Sequence, residues 1–207
     1  VTGSCHILTL RGRTLLLDCG LIQGGNQPDI RNRQPFPFDA AVIDAVVLSH
    51  AHIDHCGRLP LLRKRGFRGP IYATPACRDL ARILLADSAF MAEREAERYR
   101  RRQAEHGNRH ARGFPDPLFT RVDADETIQQ FKPVAYGHAT EVLPGVTLTF
   151  RDAGHILGSA IIELGASDGS ATTSIVFSGD LGRCDTPILR DPTPISHAAP
   201  AVKASGR

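Results

Sequence analysis

The sequence predicts an α/β protein built as a layered sheet-and-helix domain, and three observations carry that prediction. Strand-like segments open the chain, a long helical pattern fills its middle, and strands return from residue 133 onward. Hydrophobic residues make up 42% and charged residues 23% of the chain, the balance of an ordinary globular domain. Its 207 residues suffice to bury one sizeable core without demanding a second.

Residues 6–10 and 13–18 read as two short strands around the tight Arg11-Gly12 connection, with Leu15-Leu16-Leu17 as a buried run ending at Asp18. Gly24, Gly25, Pro28, Pro35 and Pro37 make residues 20–41 a loop. Val42 to Ser49 reads as a buried strand. A short helix follows Gly57 through Leu59, Leu61 and Leu62, stopped by Gly66 and Gly69-Pro70, and 71–73 is a short strand. Thr74-Pro75 has the form of an N-cap with proline at the first helical position. From there a helix is expected to about His106, apolar at Leu80, Ile83, Leu84 and Phe90, and broken over 107–119 by Gly107, Gly113, Pro115 and Pro117. The acidic run Asp123-Ala124-Asp125-Glu126 suits a first helical turn, with a helix to Phe131. Strands are expected at 133–136, 141–143, 146–152, 159–164 and 173–178. His197 to Arg207 is small, polar and patternless, as a disordered tail would be.

The chemistry concentrates in His50-Ala51-His52-Ile53-Asp54-His55, delivered by the strand ending at Ser49. In extended backbone His50 and His52 point to one side, so both imidazoles can face one metal. The chain must then turn for Gly57 and the next helix, which sends Asp54 and His55 toward a neighbouring position. So many polar side chains after a buried strand would be costly unless a ligand satisfied them. Two later stretches can add to the cluster: Asp152 to Ala160, carrying His155, and Ser178-Gly179-Asp180-Leu181-Gly182, which puts a carboxylate at a strand end. Alone, each is better explained as a turn residue.

These stretches resemble the metallo-β-lactamase-fold hydrolases, and among them the β-CASP group of RNA-processing nucleases, relatives of ribonuclease J and of the pre-mRNA 3′-end endonuclease. The similarity also covers residues 1–6 and Leu15-Leu16-Leu17-Asp18-Cys19-Gly20, and runs to about Pro194. The histidine motif identifies the fold, and the stretch around His155 favours the nuclease branch. The resemblance implies an αββα sandwich, incomplete at its C-terminal side: 1–194 as the N-terminal part of the domain, 195–207 as a disordered or aberrant tail, and no β-CASP domain. It implies two zinc ions, the first held by His50, His52 and His155, the second by Asp54 and His55, with Asp180 bridging and Asp18 holding the cluster from behind. Asp54 and Asp180 are the implied catalytic residues, and the implied reaction is RNA phosphodiester cleavage by a metal-bound hydroxide. Family members supply a further histidine to the second zinc from beyond this stretch, which leaves that site one ligand short. An inactive metal-binding module or interaction subunit is the alternative, and a thioester or β-lactam hydrolase a lesser one.

The chain opens at Val1, almost inside a strand, as a fragment, a processed product or part of a larger polypeptide would, and is expected to be truncated or frameshifted near residue 195. A second copy or a partner chain is a possible source of the missing half. Five cysteines, odd in number and without a C-x-x-C pair, argue against a disulfide framework and for a cytoplasmic setting. Cys56 is expected to be a small packed hydrophobe. No apolar run reaches the roughly 20 residues of a membrane span, and no charged-then-apolar secretion leader is expected. The net charge of +3 and pI near 8.7 permit an RNA partner without requiring one. Arginines 94, 98, 100, 101, 102, 109 and 112 are interleaved with Glu93, Glu95, Glu97 and Glu105, the pattern of a solvated helix face. His106, His110 and His138 lack ligand spacing, and Asp87-Ser88 is given no chemistry.

Overall fold

The computed structural model describes residues 3–10, 12–106, 113–167 and 172–196; Arg109, His110, Arg112 and the expected tail from His197 lie outside the described residues. Strand β1 (His6–Leu10) pairs antiparallel with β2 (Arg13–Leu17), His6 standing opposite Leu17. Beside β2 run β3 (Ala45–Val47), β4 (Ile71–Ala73) and β5 (Phe131–Pro133), all parallel to it. The second sheet is an antiparallel meander of β6 (Thr140–Leu143), β7 (Val146–Asp152), β8 (Ala160–Ser167) and β9 (Thr172–Phe177).

The period of two along a strand explains the layering. Leu15 and Leu17 on β2, with Ala45 and Val47 on β3, pack against Val146, Leu148, Phe150 and Ile162 of the second sheet. The intervening Leu16 and Val46 point the other way, into a second core shared with the helices. Strands buried on both faces read as uninterrupted apolar runs, which is why Leu15-Leu16-Leu17 does not alternate. The helical layer consists of α1 (Pro28–Arg33), α2 (Ile53–Cys56), α3 (Leu59–Lys64), α4 (Pro75–His106) and α5 (Arg121–Ile128). Cys56, Leu59, Leu62, Cys77, Ala81, Leu85, Ala89 and Ala124 are its contributions to the core. The order is helices, sheet, sheet; among the described residues no helix covers the outer face of the second sheet.

Several local expectations require correction. Residues 20–41 are not loop throughout. Pro28, whose fixed φ suits a first turn, starts α1, and a 3-10 turn spans Ala40–Val42 with the Asp39 side chain accepting from the Ala41 amide. Buried Asn32 ties α1 down by accepting from the Ile22 amide and donating to its carbonyl, at 2.8 and 2.9 Å. Strand β3 is shorter than 42–49, since Val42 belongs to the 3-10 turn and is 58% exposed. On α4 the buried stripe is Cys77, Ala81, Leu85 and Ala89, whereas Ile83 and Phe90 face solvent. Small residues four apart let that helix lie close to the sheet. Thr74 caps it as expected, its hydroxyl accepting from the Cys77 amide and donating to Gly158 O.

Helix α5 begins at Arg121 rather than Asp123, because Thr120 and Asp123 form a reciprocal capping box: each side chain bonds the other's backbone amide. Phe131 is consequently not helical but opens β5, displacing the strand expected at 133–136. Thr120→Ala is expected to lower stability by about 1 kcal/mol, read as a shifted urea midpoint with an unchanged slope. An unaltered midpoint would show the cap to be dispensable.

The arginine-rich face of α4 is partly engaged within the protein. Arg94 lies over the Phe90 ring, and Arg100 donates to Pro115 O at 3.0 Å. His138 is exposed. All five cysteines are free thiols, Cys56 fully buried with its sulfur 3.1 Å from Ala51 O. No helix among the described residues is long and apolar enough to cross a membrane.

Candidate metal centre

The site gathers at the C-terminal ends of strands from both sheets. Asp18 follows β2, the histidine motif follows β3, His155 follows β7 and Asp180 follows β9. Side chains of adjacent parallel strands converge at such an edge, and the loops leaving it are free to carry chemistry. His52 has an extended ψ of 145°, and α2 then begins at Ile53, so Asp54 and His55 lie on a helical turn.

Three ring nitrogens converge. His50 Nε2 lies 3.1 Å from His52 Nδ1, which lies 3.1 Å from His155 Nε2. Asp180 Oδ2 stands 3.9 Å from His50 Nε2 and 3.6 Å from His155 Nε2. One donor atom from each of these four residues falls within 4.8 Å of every other. Zinc bound by nitrogen at about 2.0–2.1 Å in a tetrahedron needs donor–donor edges of roughly 3.3 Å, so the set fits a single ion. The other Asp180 oxygen, Oδ1, is 3.6 Å from His55 Nε2, which is 3.9 Å from Asp54 Oδ2. Asp180 thus presents one oxygen to each group. The group of Asp54, His55 and Asp180 is the looser of the two.

Backbone contacts hold these loops together at two glycines. A Cβ on Gly20 would lie 1.6 Å from Asp54 O, and one on Gly182 would lie 1.6 Å from Gly154 O. Both positions therefore admit only hydrogen, and both join a ligand-bearing loop to its neighbour. The Ser159 hydroxyl accepts from the amides of His155 and Ile156 at 3.0 and 3.2 Å, fixing the His155 loop.

Asp18, fully buried with a left-handed φ of 59°, sits behind the histidines. Its Oδ2 accepts from His55 Nδ1 (2.7 Å), Ser49 Oγ (2.9 Å) and Ser4 Oγ (3.0 Å), and its Oδ1 from the Ser49 amide (2.8 Å). With Nδ1–H committed to the carboxylate, His55 Nε2 keeps its lone pair for the site. Residue spacing alone gives Ser4, Ser49, Ser159, Gly20 and Gly182 no role at the site. For Ser49 a signal existed, a hydroxyl placed directly before the first histidine; the glycine contacts have no counterpart in sequence spacing.

Proton affinities follow the environment. Burial, then the neighbouring rings of His55, His52 and His155, lowers His50 to about 2. His52 is lowered by burial and by His155. For His55 burial opposes protonation, but the Asp18 hydrogen bond and the Asp18, Asp180 and Asp54 charges outweigh it and raise its pKa. A lowered histidine binds its proton more readily unfolded than folded, so the stability it confers is lost as pH falls below the unfolded value near 6.5. His55 acts oppositely, stabilising below 6.5 and ceasing to do so as pH rises through its folded pKa. Two lowered imidazoles against one raised predict that the metal-free chain melts at lower temperature at pH 5 than at pH 6.5. A melting temperature that rises on acidification would contradict these assignments.

Three histidines and an aspartate brought together at the strand ends of two packed sheets make a donor set that could hold a metal ion, the kind of centre found at this edge of an α/β fold. The model of the β-lactamase superfamily domain matches residues 13–198, and the chain belongs to that family. Ribonuclease TTHA0252 of Thermus thermophilus is 38% identical over 193 residues, covering 93% of this chain and 38% of its own length. Transcription termination factor FttA of Methanosarcina mazei is 35% identical over 180 residues, 86% of this chain and 25% of that protein. The chain therefore spans well under half the length of these relatives. A solved subclass B3 metallo-β-lactamase from a soil metagenome library, MEM-A1, aligns over 86% of this chain and 57% of its own at 17% identity, with a TM-score of 0.48. The name of the first of these relatives agrees with the nuclease branch that the sequence resembles.

Proposed function

We propose that this chain carries the zinc centre of a ribonuclease, a hydrolase that cleaves RNA phosphodiester bonds. The observation that carries the reading is the three-histidine, one-aspartate cluster with edges suited to zinc, in a chain similar to a protein named as a ribonuclease. His50, His52 and His155 would hold the first ion, Asp54 and His55 the second, and Asp180 would bridge them. Imidazole and carboxylate donors suit zinc, and the fixed His55 tautomer agrees with a ligand role. Zinc bound there supplies Lewis acidity toward a phosphoryl oxygen and makes hydroxide available near neutral pH.

The rest is the work of the chain's own groups. The side chain of Asp180 is 48% exposed, which would leave it within reach of a substrate. Asp54, beside His55, would orient the attacking water by accepting its hydrogen bond. Buried His50 and the hydrogen-bonded Asp18 would form a preorganised back wall to the site. The cysteine usage fits a reducing compartment, and we place the protein in the cytoplasm on that ground.

The test is cleavage of end-labelled single-stranded RNA by the zinc-loaded chain beside an Asp54→Ala control. Product formed by the parent and lost in the control is the expected result. A chain that retains zinc yet leaves RNA intact would refute the reading for this chain and favour an inert metal-binding module.

A further inference from the structure

We infer that Ser49 is a positioning residue for the first metal: its hydroxyl relays the buried Asp18 carboxylate to His50 and fixes that ring in its Nδ1–H tautomer. The argument is one of donors and acceptors. Ser49 Oγ lies 2.9 Å from Asp18 Oδ2 and 3.0 Å from His50 Nδ1. A carboxylate only accepts, so the single hydroxyl proton is directed at Asp18. The hydroxyl oxygen can then satisfy His50 only by accepting, which requires the proton on Nδ1. Nε2 is left with its lone pair, and that atom is the one facing His52 Nδ1 and Asp180 Oδ2.

Ser49 has little freedom to do otherwise. It is buried, its amide donates to Asp18 Oδ1 at 2.8 Å, and its carbonyl accepts from the Ala160 amide at 2.8 Å where the second sheet joins the first. A Cβ added at Gly179 would lie 2.9 Å from Ser49 Cβ, so the Asp180 loop closes over it. One carboxylate thereby sets the tautomer of a histidine in each group: His55 directly, His50 through the serine. The two sites share a single orienting charge but differ in how they reach it. Removing the serine hydroxyl should release His50 alone.

The consequence for zinc rests on the proposed reading of the site; the tautomer does not, since it can be observed in the metal-free chain. The experiment is long-range 1H–15N NMR of the histidine rings in the metal-free parent, Ser49→Ala and Ser49→Thr, with zinc affinity measured by chelator competition. His50 is expected as Nδ1–H in the parent and in Ser49→Thr, and to lose that single tautomer in Ser49→Ala while His55 is unchanged. First-site zinc affinity should fall about tenfold in Ser49→Ala, the lower end of the effect of removing such outer partners, and recover in Ser49→Thr. The inference is overturned by an Nε2–H His50 in the parent, by a His50 signal indifferent to Ser49→Ala, or by unchanged first-site affinity in that variant. A parent chain that takes up no zinc would instead sink the metal reading and leave the tautomer assignment to stand on its spectrum.

Discussion

Gly182→Ala is expected to remove zinc binding at the three-histidine site while leaving most of the fold in place. The added Cβ would fall 1.6 Å from Gly154 O and 2.7 Å from the His155 amide nitrogen, and both obstacles are backbone rather than a side chain able to swing aside. The Gly182 amide also donates to Ala153 O at 2.8 Å, so the loop cannot retreat without breaking the bond that docks it. Either the Asp180 loop or the His155 loop must move by more than an ångström. The two groups proposed to share one ion, Asp180 Oδ2 and His155 Nε2, ride on those loops. Their separation of 3.6 Å is already the wide side of a tetrahedral edge. Displacement of that size puts them out of reach of a shared metal. Overpacking against backbone should lower stability by about 3 kcal/mol, visible in denaturant melts, and zinc content by atomic emission should fall to at most the weaker, His55-containing group. Full zinc retention with parental stability would show that the loops are not held by this contact.

The sequence made some of this architecture legible and concealed the rest for identifiable reasons. β1, β2, β4, β6 and β7 were readable because uninterrupted or alternating apolar runs have few other uses, and α4 because Thr74-Pro75 announces its start. That His50 and His52 face one side was readable from the strand they follow, whereas the place of His155 and Asp180 beside them came from the family resemblance, since each alone reads as a turn residue. α1 was hidden because Pro28 signals a loop and a helical first turn equally. The onset of α5 was hidden because Thr120 and Asp123 act as a pair, and acidic residues inside the first turn look like its beginning. The buried stripe of α4 was misjudged since Ala81 and Ala89 outrank the larger Ile83 and Phe90: close approach to the sheet favours small side chains. Contacts between distant backbones, such as Gly20 on Asp54 and Gly182 on Gly154, leave no local pattern at all.

Asp18→Asn should weaken both metal groups together, and the reason is that an amide has one acceptor where the site demands two. Four donors converge on the carboxylate: Ser4 Oγ, Ser49 Oγ and His55 Nδ1 on Oδ2, and the Ser49 amide on Oδ1. If the asparagine NH2 replaces Oδ1, it faces the Ser49 N–H, donor against donor. If it replaces Oδ2, the hydroxyls can rotate, but His55 must abandon Nδ1–H for the other tautomer and so gives up the Nε2 lone pair facing Asp54 and Asp180. Neither orientation satisfies the site, and the group is fully buried. An unsatisfied buried donor costs about 1–3 kcal/mol, and loss of the charge adds to it, so stability should fall by about 2–4 kcal/mol. Zinc affinity should fall about 10–100-fold at His55 and, through Ser49, at His50 as well. The backbone does not confound the result, because asparagine tolerates the left-handed φ that Asp18 adopts. Denaturant melts of the metal-free variant separate the stability loss from the zinc loss. Parental zinc affinity in Asp18→Asn would mean that the histidines are oriented by packing alone, and the buried carboxylate would then need another explanation.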